Sequence, residues 1–181
     1  FTINRLYEYT NLQTKFDAIM LALVKGEPKI LNLKQIVEVY VEYRRGIVKK
    51  RTKFDLDKAE DRKHIVEGLM IALKNLDLVI EVIKKSKNTS EALETLSNKL
   101  KLSGKQSQAI LDMKLSTLTV LEQDKLKDEN KKLEETIKEL KKILESEDEI
   151  LSIIKKELSD LKMQFGDTRR TSILQRIAEI Q

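Results

Sequence analysis

The 181-residue sequence contains no cysteine and no tryptophan, with one proline, one histidine and five glycines. Without thiols, disulfides and thiolate metal sites are excluded, and a reducing compartment is compatible with the chain. The lone His64 lies in a polar part of a long helical pattern and is read as structural or solvated. No His/Asp/Glu set has metal-ligand spacing, and no Gly-rich phosphate loop follows a strand. No apolar run approaches the ~20 residues of a membrane span, and no signal-peptide pattern opens the chain. Aromatics make up only 4%. Two of the four tyrosines, Tyr7 and Tyr9, fit an opening helix, and Tyr40 and Tyr43 fit a helical seam; none has a catalytic context. The expected inventory is therefore no catalytic residue, no cofactor-binding residue and no metal ligand. The chain opens on Phe1 rather than Met, which reads as a piece of a longer protein.

What is abundant is charge, 36% of the residues, together with leucine, a balance that favours long helices over a compact globule. Two stretches, Asn32 to Lys85 and Thr119 to Phe165, read as long helices. In the second, Leu126, Leu133, Ile137, Leu140, Leu144, Leu151, Ile154, Leu158, Leu161 and Phe165 step by three, four or seven, as a coiled-coil seam does. In the first, Ile36, Tyr40, Tyr43, Ile47 and Phe54 keep a heptad, and Leu69, Leu73, Leu76, Ile80 and Ile83 keep another. A stutter separates the two, and Gly46 and Gly68 predict a kink or short break between them. The expected fold is mainly α: a long antiparallel coiled-coil arm with a small helical globular tip, preceded by a short α/β-hairpin segment. Its boundaries are a helix and β-hairpin over 1–32, a first arm helix over 33–85, a tip over 86–118, a second arm helix over 119–165 and an exit segment over 166–181.

Local signals punctuate this plan. Phe16 to Val24 and Lys29 to Leu31 read as the strands of a hairpin around a Lys25-Gly26-Glu27-Pro28 turn, a unit too small to be stable alone. Asn32 is a candidate N-cap. Ser103/Gln106, Thr119/Glu122 and Ser146/Glu149 have capping-box spacing. The last of these falls inside the heptad run, where a helix can break and stay in register. Paired antiparallel, the long helices place facing residues whose numbers total about 200, given equal rise in both. Lys49, Lys50, Arg51 and Lys53 then face Glu145, Glu147, Asp148 and Glu149, a charge-held elbow.

Two surfaces are candidates for function. Ala109, Ile110, Leu111, Met113, Leu115 and Leu118 form an apolar stripe on a tip too small to bury all of it, which predicts a homodimer interface. Arg44, Arg45, Lys49, Lys50, Arg51 and Lys53 form a basic cluster, either a solvated helix face or a sequence-blind phosphate-facing patch. The net charge of +5 permits a polyanionic partner without demanding one.

Several runs carry a resemblance: Tyr43-Arg44-Arg45-Gly46-Ile47-Val48-Lys49-Lys50-Arg51-Thr52-Lys53-Phe54, Lys58 to Gly68, Gln106 to Leu115, and Gln164-Phe165-Gly166-Asp167-Thr168-Arg169-Arg170-Thr171. In order and over nearly the whole chain, they resemble the coiled-coil (C-gate) domain of the A subunits of type IIA topoisomerases, that of DNA gyrase first and that of topoisomerase IV beside it. Leu6-Tyr7, Thr10 to Gln13 and Leu31 to Lys34 resemble the end of the tower region in those proteins. The resemblance implies a non-catalytic exit gate and dimerisation domain. The parent would be an ATP-dependent enzyme that passes one DNA duplex through a transient double-strand break. ATP and Mg²⁺ would be bound by other domains or by the gyrase B subunit, in an A2B2 assembly on duplex DNA, cytoplasmic and nucleoid-associated, with no membrane. The family's cleavage tyrosine sits in an Arg-Tyr-Thr context. Here Glu8 precedes Tyr9-Thr10, so no nucleophile carries over and the fragment alone is expected to be inactive. The alternatives are a structural hinge-and-arm module and a nucleic-acid-binding arm like that of seryl-tRNA synthetase.

Overall fold

The structure, a computed structural model, describes residues 2–113 and 120–173. Within them the order is α1 (Thr2–Tyr9), β1 (Leu21–Val24), β2 (Glu27–Ile30), α2 (Leu33–Lys74), α3 (Leu76–Lys85), α4 (Thr89–Leu100), α5 (Gly104–Leu111), α6 (Val120–Glu145) and α7 (Glu147–Phe165). The mainly helical class with one small hairpin near the N-terminus is as expected. Leu115, Leu118, the Thr119 of the Thr119/Glu122 box and residues 174–181 lie outside the described residues. The chain divides into two units, Phe1–Arg45 with Ile154–Gln181, and Gly46–Ile153.

The first unit holds α1 and the hairpin. β1 and β2 pair antiparallel from Leu21↔Ile30 to Val24↔Glu27, leaving only Lys25 and Gly26 in the turn. Both have positive φ, +53° and +86°, the two-residue turn whose twist matches that of the strands. The turn is thus shorter than the four residues expected. Pro28 lies within β2, and in a two-stranded sheet every strand is an edge, so its missing N–H is tolerated. Nothing in β2 is buried. α2 begins where Asn32 caps it: Asn32 Oδ1 accepts from the Gln35 amide and Gln35 Oε1 accepts from the Asn32 amide, both at 2.9 Å.

The second unit contains the core. α2 runs unbroken through both Gly46 and Gly68, contrary to the expected kink, and stops at Asn75 instead. There the Asn75 amide bonds the Ala72 carbonyl at 3.1 Å, three residues back, while its side-chain Nδ2 donates to the Ile71 carbonyl at 2.9 Å. The side chain takes over the bond its own backbone gives up, which ends the helix. The expected 33–85 helix is therefore two, α2 and α3. α3, α4 and α5 fold onto the end of α2 around one cluster: Ala72, Val79, Val82, Leu96, Leu102 and Ile110. Asn88 Oδ1 caps α4 by accepting from the Glu91 amide at 2.8 Å, and Lys101 closes it in the left-handed region at φ +54°.

α6 and α7 run antiparallel to α2. Ion pairs join Glu60 to Lys141 (2.7 Å), Lys63 to Glu134 (3.1 Å) and Lys49 to Glu147, each close to the expected register. Arg62 reaches Glu129 (2.6 Å), about two turns nearer the tip end. The break falls at Ser146 as read from the sequence, yet Ser146 N still bonds Lys142 O (3.2 Å) and Ile150 N bonds Ser146 O (3.3 Å), so α7 continues α6 in phase. Leu126, Ile137 and Ile154 are buried as expected, and Ile150, fully buried, lies deeper than the predicted Leu151. Leu158, Leu161 and Phe165 are exposed.

The seam of α2 is not the one expected. Its buried residues are Val48, Thr52, Ala59 and Val66, spaced by four, seven and seven. Tyr43 and Phe54 are 64% and 67% exposed. These buried side chains are small, while the large aromatic ones of the expected seam stay in solvent.

Candidate functional site

A polar knot joins α5 of the tip to α2. Ser103 Oγ accepts from the Gln106 amide at 3.3 Å and Gln106 Oε1 accepts from the Ser103 amide at 3.0 Å, the capping box predicted for α5. The same two side chains reach back to α2. Gln106 Nε2 donates to the His64 carbonyl at 2.7 Å, and His64 Nε2 lies 2.7 Å from Ser103 Oγ. Gln106 and Ser107 are buried. Gly68 explains how Gln106 fits: a Cβ there would stand 2.7 Å from Gln106 Cγ. Gly68, read from the sequence as a helix weakener, is a contact point where only a missing side chain admits α5. His64 is structural, as expected, but half-buried and engaged rather than solvated.

The stripe assigned to a dimer interface divides in two. Ile110 is 2% exposed and belongs to the tip core, so it is not available to a partner. Ala109, Leu111 and Met113 are half-buried, with Leu111 packed against that core. Leu115 and Leu118 lie outside the described residues.

The basic run divides as well. Arg44 pairs with Glu157 at 2.5 Å, Arg45 with Glu42 at 3.4 Å, and Lys49 with Glu147. Arg51 is exposed and also engaged. Lys50 and Lys53 are exposed and have no ion-pair partner among the described residues. Further along α2, the Arg62 guanidinium is held above its ordinary value by its hydrogen bond to Glu129, against the opposing effect of burial. Lys63 is raised likewise, first by Glu134. Arg44, Lys49, Glu60, Arg62 and Lys63 therefore each direct their charge across the helix pair.

Among the described residues no group of three or more His, Asp or Glu side chains converges as metal ligands would, and no helix is long and apolar enough to cross a membrane. In the first unit an open apolar cleft of about 570 Å³ lies between the hairpin and the start of α2, lined by Leu23, Leu31, Ile36, Tyr40 and Tyr43 among others. Tyr40 and Tyr43, expected in the seam, border this cleft. Among the described residues neither has a base or acid partner that would make it a nucleophile.

With this geometry in place, the sequence matches, over residues 1–159, the family described as the A subunit of DNA gyrase and topoisomerase IV. The chain belongs to that family. It is 47% identical to the DNA gyrase A subunit of Mycoplasma genitalium over 177 residues, covering 98% of this chain and 21% of that protein. It is 50% identical to the DNA gyrase A subunit of Clostridium acetobutylicum over 171 residues, covering 94% of this chain and 21% of that protein. The corresponding protein of Staphylococcus aureus (strain MRSA252) is 46% identical over 171 residues, with 94% of this chain and 19% of that protein covered. The chain thus spans about a fifth of the length of the relatives it matches. All three carry the gyrase name, which favours that branch of the family over topoisomerase IV.

Proposed function

We propose that this chain is the exit gate and dimerisation region of the A subunit of a type IIA topoisomerase, a DNA gyrase that passes one duplex through a transient double-strand break. The observation that carries the reading is the antiparallel pairing of α2 with α6 and α7, joined at one end to a small, separately cored tip by the Gly68–Gln106 contact. Long paired helices act as levers, and a tip with its own core can meet a second copy across a two-fold axis and part again without unfolding. Ala109, Leu111 and Met113, with Leu115 and Leu118, are the apolar side chains offered to that copy. The partners of the parent are duplex DNA and the gyrase B subunit. ATP and Mg²⁺ serve it on other domains, and its workplace is the cytoplasm at the nucleoid.

Sedimentation velocity tests the gate. The chain should sediment as a dimer at micromolar concentration, and an Ala109→Asp/Met113→Asp variant as a monomer with unchanged helical circular dichroism. These positions are chosen because Ile110→Asp would break the tip core. A monomeric parent chain, or a variant that stays dimeric, would overturn the assignment of this interface. In the same reading the isolated chain neither cleaves nor relaxes supercoiled plasmid, and relaxation by the purified chain would count against it.

A further inference from the structure

The hairpin end of the first unit has apolar surface and no core of its own. None of residues 2–45 is buried. The cleft of about 570 Å³ between the hairpin and the start of α2 is the concave part of that surface. On its wall Leu23, Tyr40 and Tyr43 are exposed, and Leu31, Ile36 and Val39 are half-buried. The same wall carries one base and one acid, Lys25 and Glu42. Among the described residues Lys25 has no ion-pair partner, and Glu42 meets Arg45 at 3.4 Å. A two-stranded hairpin is marginal in water unless something covers one of its faces.

The end of the chain is within reach of this cleft and has the chemistry to fill it. Arg44 pairs with Glu157, and equal rise in two antiparallel helices then brings Phe165, the last residue of α7, level with Ile36 on the cleft wall. From Gly166 to Ile173 the chain is neither helix nor strand, and Ile173 is exposed. At ~3.3 Å per residue this stretch spans up to about 25 Å, twice the ~10–12 Å width of a helix and enough to pass from α7 round α2. Beyond it the sequence reads Leu174-Gln175-Arg176-Ile177-Ala178-Glu179-Ile180-Gln181. Ile173, Leu174, Ile177 and Ile180 keep the i, i+1, i+4, i+7 spacing of one apolar helix face. A helix this short is marginal in water and needs an apolar surface to lie on. We propose that segment 173–181 docks in the cleft of its own chain, its isoleucines against Leu23, Val39 and Tyr43, with Arg176 toward Glu42 and Glu179 toward Lys25. The one base and one acid of the segment answer the one acid and one base of the wall. Docking ties the end of α7 to the start of α2, and it requires neither the dimer nor DNA of the proposed gate.

Because the chain has no cysteine, an introduced pair reports the docking directly. In the full chain, Val39→Cys/Ile177→Cys in a glutathione redox buffer should close an intrachain disulfide at least about tenfold faster than Val37→Cys/Ile177→Cys, since the tether and its effective concentration are nearly the same for both. Val37 is exposed, two residues from Val39, and does not line the cleft. Separately, Ile177→Asp/Ile180→Asp should speed hydrogen exchange at the hairpin amides 20–31 severalfold and leave the tip amides 89–111 as in the parent chain. Equal closure rates for the two cysteine pairs would overturn the proposal. So would a Val39–Ile177 disulfide that joins two chains on a non-reducing gel, which makes a second copy the occupant. Hairpin exchange unchanged by the two aspartates would overturn it as well.

Discussion

The tip and the α2–α6 pair are both helix packed on helix, and they are held together by different means. In the tip, six apolar side chains form one closed cluster, and Gln106 fits against a glycine with no room to spare. Along the pair, buried positions on α2 are small and widely spaced, and Lys, Arg and Glu side chains bridge the intervals. A core packed in three dimensions resists the loss of any one member strongly, because the cavity left cannot collapse. A two-helix seam has solvent on both flanks, and its ion pairs set register more than stability. The same chain therefore combines a rigid head with helices whose fit is adjustable.

Substitutions sharpen this contrast, beginning with the largest effect. Leu96, fully buried in the tip, should cost about 2–5 kcal/mol when replaced by Ala, read as a shift in the urea midpoint. A loss below ~1 kcal/mol would mean that the tip is not tightly packed. Two glycines of α2 should then respond with opposite signs. Gly68→Ala forces a methyl against Gln106 and should destabilise by about 1–3 kcal/mol. Gly46→Ala meets no neighbour within 4 Å and should stabilise by roughly 0.5–1 kcal/mol through helix propensity. Like signs in thermal unfolding would erase the distinction. Ser103→Ala removes the α5 cap together with the His64 contact and should cost about 1 kcal/mol. The smallest effect belongs to the pair: a double-mutant cycle on Arg62→Gln and Glu129→Gln should give a coupling of ~0.2–1 kcal/mol that fades with salt. A coupling several times larger, insensitive to salt, would make the seam a charge-locked core after all.

The elbow envisaged at Lys49–Lys53 and Glu145–Glu149 survives in one helix only. α2 is continuous there, and the second helix is interrupted at Ser146, with Lys49–Glu147 across the gap and Lys142–Glu149 (2.6 Å) beside it. The Lys142 ammonium is raised by that carboxylate. Hydrogen exchange faster at 145–149 than in the neighbouring turns of α6 and α7, with no matching rise at 49–53 of α2, is the expected pattern. Uniform protection across Ser146 would refute a joint.

Features set by a few neighbouring residues were legible in the sequence. The Asn32 and Ser103 caps, the interruption at Ser146 and the Lys25-Gly26 turn each depend on side-chain chemistry acting over one turn of chain. So was the overall register of the helix pair, because two antiparallel helices of equal rise keep the sum of facing residue numbers constant. The seam of α2 was not. Tyr40, Tyr43 and Phe54 keep a heptad and look like the buried face, whereas Val48, Thr52, Ala59 and Val66 are too small, and one of them too polar, to stand out. The end of α2 at Asn75 was also hidden, since an asparagine inside an apolar period carries no strong stop signal.

By itself the sequence determined that the chain is helical, where most helices start, and which family it belongs to, because these depend on local propensity and on residue order. The tertiary structure alone decided which face of α2 is buried, why Gly68 has no side chain, that Ile110 points inward, and which lysines keep their charge exposed. Each of those is a property of what lies opposite a residue, and distance in space is not written in distance along the chain.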